Sequence, residues 1–149
     1  MEQILFRIEQ LNSLYETYAF LCRQQKTPKE FKSKESFQFA KENFFVLILS
    51  QLYSLFDKSG LDLQTIETED EYLKEIIEDW EKIKKPITRI RHNLGSHGAK
   101  RINGTKNATS AFLELDKNGI KIAMELFGKL KKWQLFSNLK IKQKSLTNR

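Results

Sequence analysis

Cysteine is almost missing from this chain of 149 residues, where Cys22 stands alone. A single thiol excludes an internal disulfide framework and a zinc site built on cysteines. Proline and glycine are scarce too, with two and six residues. Little therefore interrupts the backbone, and the straight-chain residues that dominate favour helix. Long hydrophobic runs are absent. The longest, Phe44 to Leu49, is far short of the roughly 20 residues that a bilayer-spanning helix needs. There is no glycine-rich phosphate loop of the Walker or Rossmann kind, and with one cysteine and two histidines no set has zinc spacing. Glu67, Glu69, Asp70 and Glu71 crowd together, but acidic residues at a helix start explain them better than a cation site. Neither metal nor cofactor is expected. Glu2 and Glu9 interrupt the apolar residues at the start, unlike a signal peptide, so a cytoplasmic protein without membrane contact is expected.

What is present is a sizeable apolar fraction, 40%, with 11 phenylalanines spread along the chain. That composition buries one core and suits one domain. The net charge of +7 conceals a division. Residues 1–81 hold 9 basic and 16 acidic side chains, whereas residues 82–149 hold 17 basic and 3 acidic ones. The first part therefore carries −7 and the second +14. A basic half of this kind suits an anionic partner, of which nucleic acid is the commonest, although a lysine-rich surface also arises simply from solubility.

Hydrophobic periodicity predicts four long helices. Ile4, Ile8, Leu11, Tyr15, Tyr18 and Cys22 step by four and three, so a first helix ends near Gln25. A lysine-rich connection follows. A second helix spans about Ser36 to Phe56, apolar on all sides in its middle and hence central, with a glycine stop signal at Gly60. A third begins near Thr68, whose spacing to Glu71 fits a capping box. It carries Leu73, Ile76, Trp80, Ile83, Ile87, Ile90 and Leu94 on one stripe. Pro86 inside it predicts a kink or break. Residues 96–110 read as a loop and Phe112 to Leu115 as an extended segment. Asp116 or Asn118 caps a fourth helix from about Gly119 to Leu139. The division is thus a helical domain over 1–139 and a frayed basic tail over 140–149.

Both histidines fall in one stretch, Arg91-His92-Asn93-Leu94-Gly95-Ser96-His97. Arginine holds a phosphate in a planar fork, and histidine moves protons near neutral pH. Arg91 follows the apolar Ile90, one turn from Ile87 and Leu94, so it flanks the core stripe. A structural reading gives it Glu42 or Asp79 as an ion-pair partner, or lets its stem snorkel. On a straight helix, six residues put two side chains about 120° apart. Arg91 and His97 therefore meet only if the helix bends, and Gly95 lies where the bend must be. A histidine after a helix end also has a plain use, complementing the helix dipole.

A late helix ending in Arg91-His92-(x4)-His97, before a basic glycine-containing loop, resembles the HEPN superfamily (higher eukaryotes and prokaryotes nucleotide-binding domains). That family's hallmark is an arginine, four to six residues, then a histidine, often with a polar residue directly after the arginine. Leu52-Tyr53-Ser54-Leu55-Phe56-Asp57 is similar to the end of the second helix in abortive-infection-type members. The resemblance implies an all-α, HEPN-like four-helix bundle with a short extra turn or helix, dimerising through the motif face. It implies a metal-independent endoribonuclease of the toxin kind, found in defence or toxin–antitoxin systems. Arg91 and His97 would be catalytic, with His92 and Asn93 supporting them. In such chemistry the RNA 2′-OH attacks the adjacent phosphate, an arginine stabilises the added charge, and histidine serves as general acid or base. One histidine serves both roles poorly, so a homodimer offering two motifs to one cleft is expected. Lys84, Lys85, Arg89, Lys100, Arg101 and Lys106 would hold the RNA backbone with little regard to sequence. A nuclease harmful to its host also implies an antitoxin or regulatory protein as partner. Two alternatives stand beside this reading. One is a non-catalytic HEPN-like module that binds RNA or protein. The other is an unrelated four-helix protein whose basic half binds nucleic acid or a partner protein.

Overall fold

The computed structural model describes residues 1–58, 60–66, 70–91 and 109–148, which form an all-α bundle of four helices packed against one another. Among the described residues there is no strand, and no helix is long and apolar enough to cross a membrane.

The first helix, α1 (Glu2–Arg23), buries Ile4, Ile8 and Leu11 as its periodicity predicts, together with Leu5, while Tyr15 and Tyr18 of that stripe are half-buried and Cys22 is exposed. The second, α2 (Lys34–Phe56), is capped by Ser33, whose Oγ accepts the Ser36 N–H at 3.0 Å. Such a cap contributes about 1 kcal/mol. Its middle is deeply buried at Phe45, Val46, Ile48 and Leu49, although Leu47 between them faces outward. The chain leaves α2 through a tight return: Gly60 N–H donates to the Asp57 carbonyl at 2.9 Å and Leu61 N–H to the Ser54 carbonyl at 3.2 Å. A Cβ on Gly60 would lie 2.4 Å from the Ser54 oxygen, so this close backbone approach requires glycine. A single 3-10 turn, Leu63–Thr65, then drops the fully buried Leu63 into the core.

The third helix, α3 (Glu71–Ile90), has the strongest division into apolar and polar faces. Leu73, Ile76, Trp80, Ile83, Ile87 and Ile90 are all buried. It starts later than the capping-box spacing suggests. Asp70 is the cap, its Oδ1 accepting from Tyr72 N–H at 3.0 Å, and Thr68 and Glu69 fall outside the described residues. Aspartate next to the first turn supplies both the acceptor and the charge a helix N-terminus favours. The helix runs on through Pro86 without a break. Proline loses its own N–H bond and crowds the Lys82 carbonyl, and the burial of Ile83 and Ile87 on either side offsets that cost.

The fourth helix, α4 (Thr109–Thr147), corrects two expectations. Residues 112–115 are helical, not extended, because Ala111, Leu113 and Glu114 are good helix formers and the interruption comes later. That interruption is Asp116, at φ 53 and ψ 177, with its Oδ1 accepting from Gly119 N–H at 2.8 Å. Asp116 therefore caps the long second part of α4, one of the two residues expected to do so. At the other end the tail is not frayed: the helix passes Leu139 and continues to Thr147. No glycine or proline follows Gly128, and Lys, Gln and Leu propagate helix well.

The most extensive seam joins α3 to α4, with α1 on α2 and α4, and α2 on α3. Tyr72 near the start of α3 lies by Trp133 and Phe136 of α4, and Leu5 of α1 lies by Gln134 and Ile141. Both α1 and α3 thus begin at the end of the bundle where α4 finishes. Tyr72 and Arg91 are separated by roughly 28 Å of helix at 1.5 Å per residue, so Arg91 stands at the opposite end.

Candidate functional site

Two charged residues of α3 have different surroundings. Asp79 sits inside the α3–α4 seam at 8% exposure. Its Oδ2 accepts from Lys129 Nζ at 2.6 Å and its Oδ1 from Lys82 Nζ at 3.2 Å, while Glu75 lies 3.7 Å from Lys129. Burial alone pushes the Asp79 carboxyl up, but the hydrogen bonds from Lys129 and Lys82 outweigh it and hold the group below the ordinary carboxylate value. The bond to Asp79 raises Lys129 in turn, against the opposing effect of its own burial. Asp79 therefore ties α4 to the middle of α3 and is not a partner for Arg91.

Arg91 ends α3, half-buried, with its backbone N–H shared between the Ile87 and Thr88 carbonyls. Its guanidinium lies over the Tyr53 ring, 4.6 Å from the centroid. Tyr53 is held edge-on by Trp80 at 5.9 Å, and Trp80 stacks on Phe56 at 4.5 Å and 7°. Among the described residues no carboxylate pairs with Arg91; of the two suggested by sequence, Asp79 is taken by lysines and Glu42 accepts from Gln38 Nε2. An aromatic face attracts the cation but accepts none of its in-plane N–H bonds. The fork of donors at the end of α3 thus remains suited to a bidentate anion.

The residues leading to Arg91 form a basic surface. Lys84 and Thr88 are seven and three residues before it, so all three share a side of the helix to within about 60°. Lys84, Lys85, Thr88 and Arg89 are exposed, and together with Glu81 they line a shallow depression of about 390 Å³. Lys84 also approaches Glu81 at 3.6 Å, with both side chains about half exposed, an arrangement that yields easily to a competing phosphate.

Four of the residues selected from sequence are therefore placed: Lys84, Lys85 and Arg89 lie on the last two turns of α3, and Arg91 is its C-cap. His92, Asn93, His97, Lys100, Arg101 and Lys106 lie outside the described residues, as does the bend required at Gly95. Sequence reasoning assigned no role to Tyr53. It stands within Leu52–Asp57, and a tyrosine near the end of α2, on the side of the chain leading toward α3, was the available signal. Among the described residues there is no cluster of three or more metal-ligating side chains.

No protein-family model, curated protein or solved structure matches the chain.

Proposed function

We propose that this protein is a HEPN-like, metal-independent endoribonuclease, of the kind that serves as the toxin in a defence or toxin–antitoxin system. The observation that carries the proposal is the Arg91 guanidinium, held on Tyr53 with no carboxylate partner among the described residues. In this reading Arg91 grips the scissile phosphate and stabilises the charge that builds on it. His97 moves the proton of the attacking 2′-OH or of the leaving oxygen. His92 and Asn93 support the pair. Lys84, Lys85 and Arg89, together with Lys100, Arg101 and Lys106 of the following segment, contact the RNA backbone through charge. A homodimer brings two motifs to one cleft and so supplies the second proton carrier. An antitoxin or other regulatory protein restrains the activity, and the protein acts in the cytoplasm.

The test is incubation of purified protein with several RNAs in excess chelator, followed by analysis of the new ends. Cleavage leaving 2′,3′-cyclic phosphates, and its loss in His97→Ala, are expected. No cleavage by the wild type, or equal cleavage by His97→Ala, would sink the enzyme. RNA binding that depends on Arg91 without any cleavage would point to the non-catalytic module.

A further inference from the structure

The end of the bundle farthest from Arg91 carries features that the ribonuclease reading does not use. Gln134 is the last buried residue of α4, and every described residue from Leu139 onward is exposed. The helix nevertheless continues to Thr147, projecting about 12 Å past Leu139 at 1.5 Å per residue. The end of α4 from Leu135 onward is not polar all round. Leu135, Phe136, Leu139 and Leu146 are 52%, 59%, 55% and 68% exposed. At about 100° per residue, Leu135, Leu139 and Leu146 share one stripe, while Ile141 lies on the other side, by Phe6 of α1. A protein rarely leaves such a set uncovered. Apolar residues on two sides do not suit a helix lying flat on a bilayer, which wets one side only.

Charge indicates what covers them. Past Glu125 no acidic side chain occurs in the chain, and the projection carries Lys140, Lys142 and Lys144. The two helices that begin at this same end start acidic, α1 with Glu2 and Glu9 and α3 with Asp70 and Glu71. Shallow grooves run beside the projection on both flanks. One is lined by Tyr72, Trp133, Phe136 and Leu139, the other by Glu2, Phe6, Glu9 and Ile141. This end therefore offers a basic apolar rod beside an acidic apolar rim. A surface bearing both halves of a complementary pair matches itself under a two-fold rotation.

We propose that a second copy of this chain covers the projection. The α4 end of each copy lies along the partner's α1 rim, with lysines facing Glu2 and Glu9 and with Leu139, Leu146 and Phe6 buried between the copies. The contact is distinct from a dimer through the motif end, and it stands whether or not the protein cuts RNA.

A charge swap tests it by sedimentation equilibrium. Lys140→Glu/Lys142→Glu/Lys144→Glu sets acidic tails against acidic rims, and Glu2→Lys/Glu9→Lys sets basic against basic. Each variant alone should associate about ten-fold more weakly than wild type or worse, and an equimolar mixture should recover most of the loss, since each tail then meets a complementary rim. All these positions are exposed, and unchanged helical circular dichroism and melting temperature verify the fold. A wild type that stays monomeric at high concentration overturns the proposal. So does association untouched by either variant, which assigns it to another face. Loss without recovery in the mixture also overturns it and leaves the rod to an acidic partner of another kind.

Discussion

Asp79 and Arg91 are both charged residues on α3, twelve positions apart, and the fold treats them in opposite ways. Asp79 is enclosed and takes hydrogen bonds from two lysines, one of them on another helix. Arg91 rests on an aromatic ring and meets no carboxylate among the described residues. A buried carboxylate without donors is very costly, so Asp79 must be satisfied for α3 and α4 to close. A half-buried guanidinium at a helix end escapes that demand, because a ring face steadies it and the residue is not closed off from solvent. The difference separates a charge used in assembly from a charge kept for a ligand.

The largest expected effect removes the support beneath Arg91. Trp80 is 1% exposed, stacks on Phe56 and supports Tyr53 beneath Arg91. Trp80→Ala should lower stability by about 3–5 kcal/mol in urea unfolding. Next comes Asp79→Ala, with a loss of about 1–3 kcal/mol, because Lys129 is left part-buried without its main acceptor. The depressed carboxyl also fixes a pH signature. Its contribution is fully present above the ordinary value of 3.8 and is lost as pH falls below it through the lowered folded value. Lys129 acts on the other limb: raised above 10.5, it contributes fully below that value and loses its contribution as pH rises through the raised one. Asp79→Asn should flatten both limbs of a stability–pH curve. Pro86 lies between the two sites, and Pro86→Ala restores a helical N–H, raising stability by about 2 kcal/mol in the same unfolding assay, the proline penalty less the entropy it removes from the unfolded chain. The smallest change belongs to Arg91→Ala, at most about 1 kcal/mol by thermal melting, the size of one exposed cation–π contact.

Periodicity located α3 most surely, because its faces are cleanly divided, whereas α2 was legible as a long apolar segment ending at a glycine signal. The stripe of α3 from Leu73 to Ile90 is buried at each expected step. Ends were harder. Thr68–Glu71 offered a capping box, yet Asp70 caps α3 through the Tyr72 N–H, since either residue type caps well and only local geometry chooses. Phe112–Leu115 has no strong helical stripe, and its helicity reflects good local propensity up to the break at Asp116. The tail was legible only as a basic segment expected to fray, whereas lysine's helix propensity carried α4 onward. For the site, the motif marked Arg91 and the lysines before it. It could not show that α2 sets Tyr53 against Arg91, because a contact across 38 positions depends on how two helices cross.

The most direct measurement pairs two readouts on Arg91→Ala, thermal stability and cleavage of RNA in excess chelator. A melting temperature near that of the wild type, with cleavage reduced by about 10²-fold or more, is the expected result for a charge reserved for the phosphate. Marked unfolding, or a stable variant that cleaves as the wild type does, would contradict it and return Arg91 to a structural role.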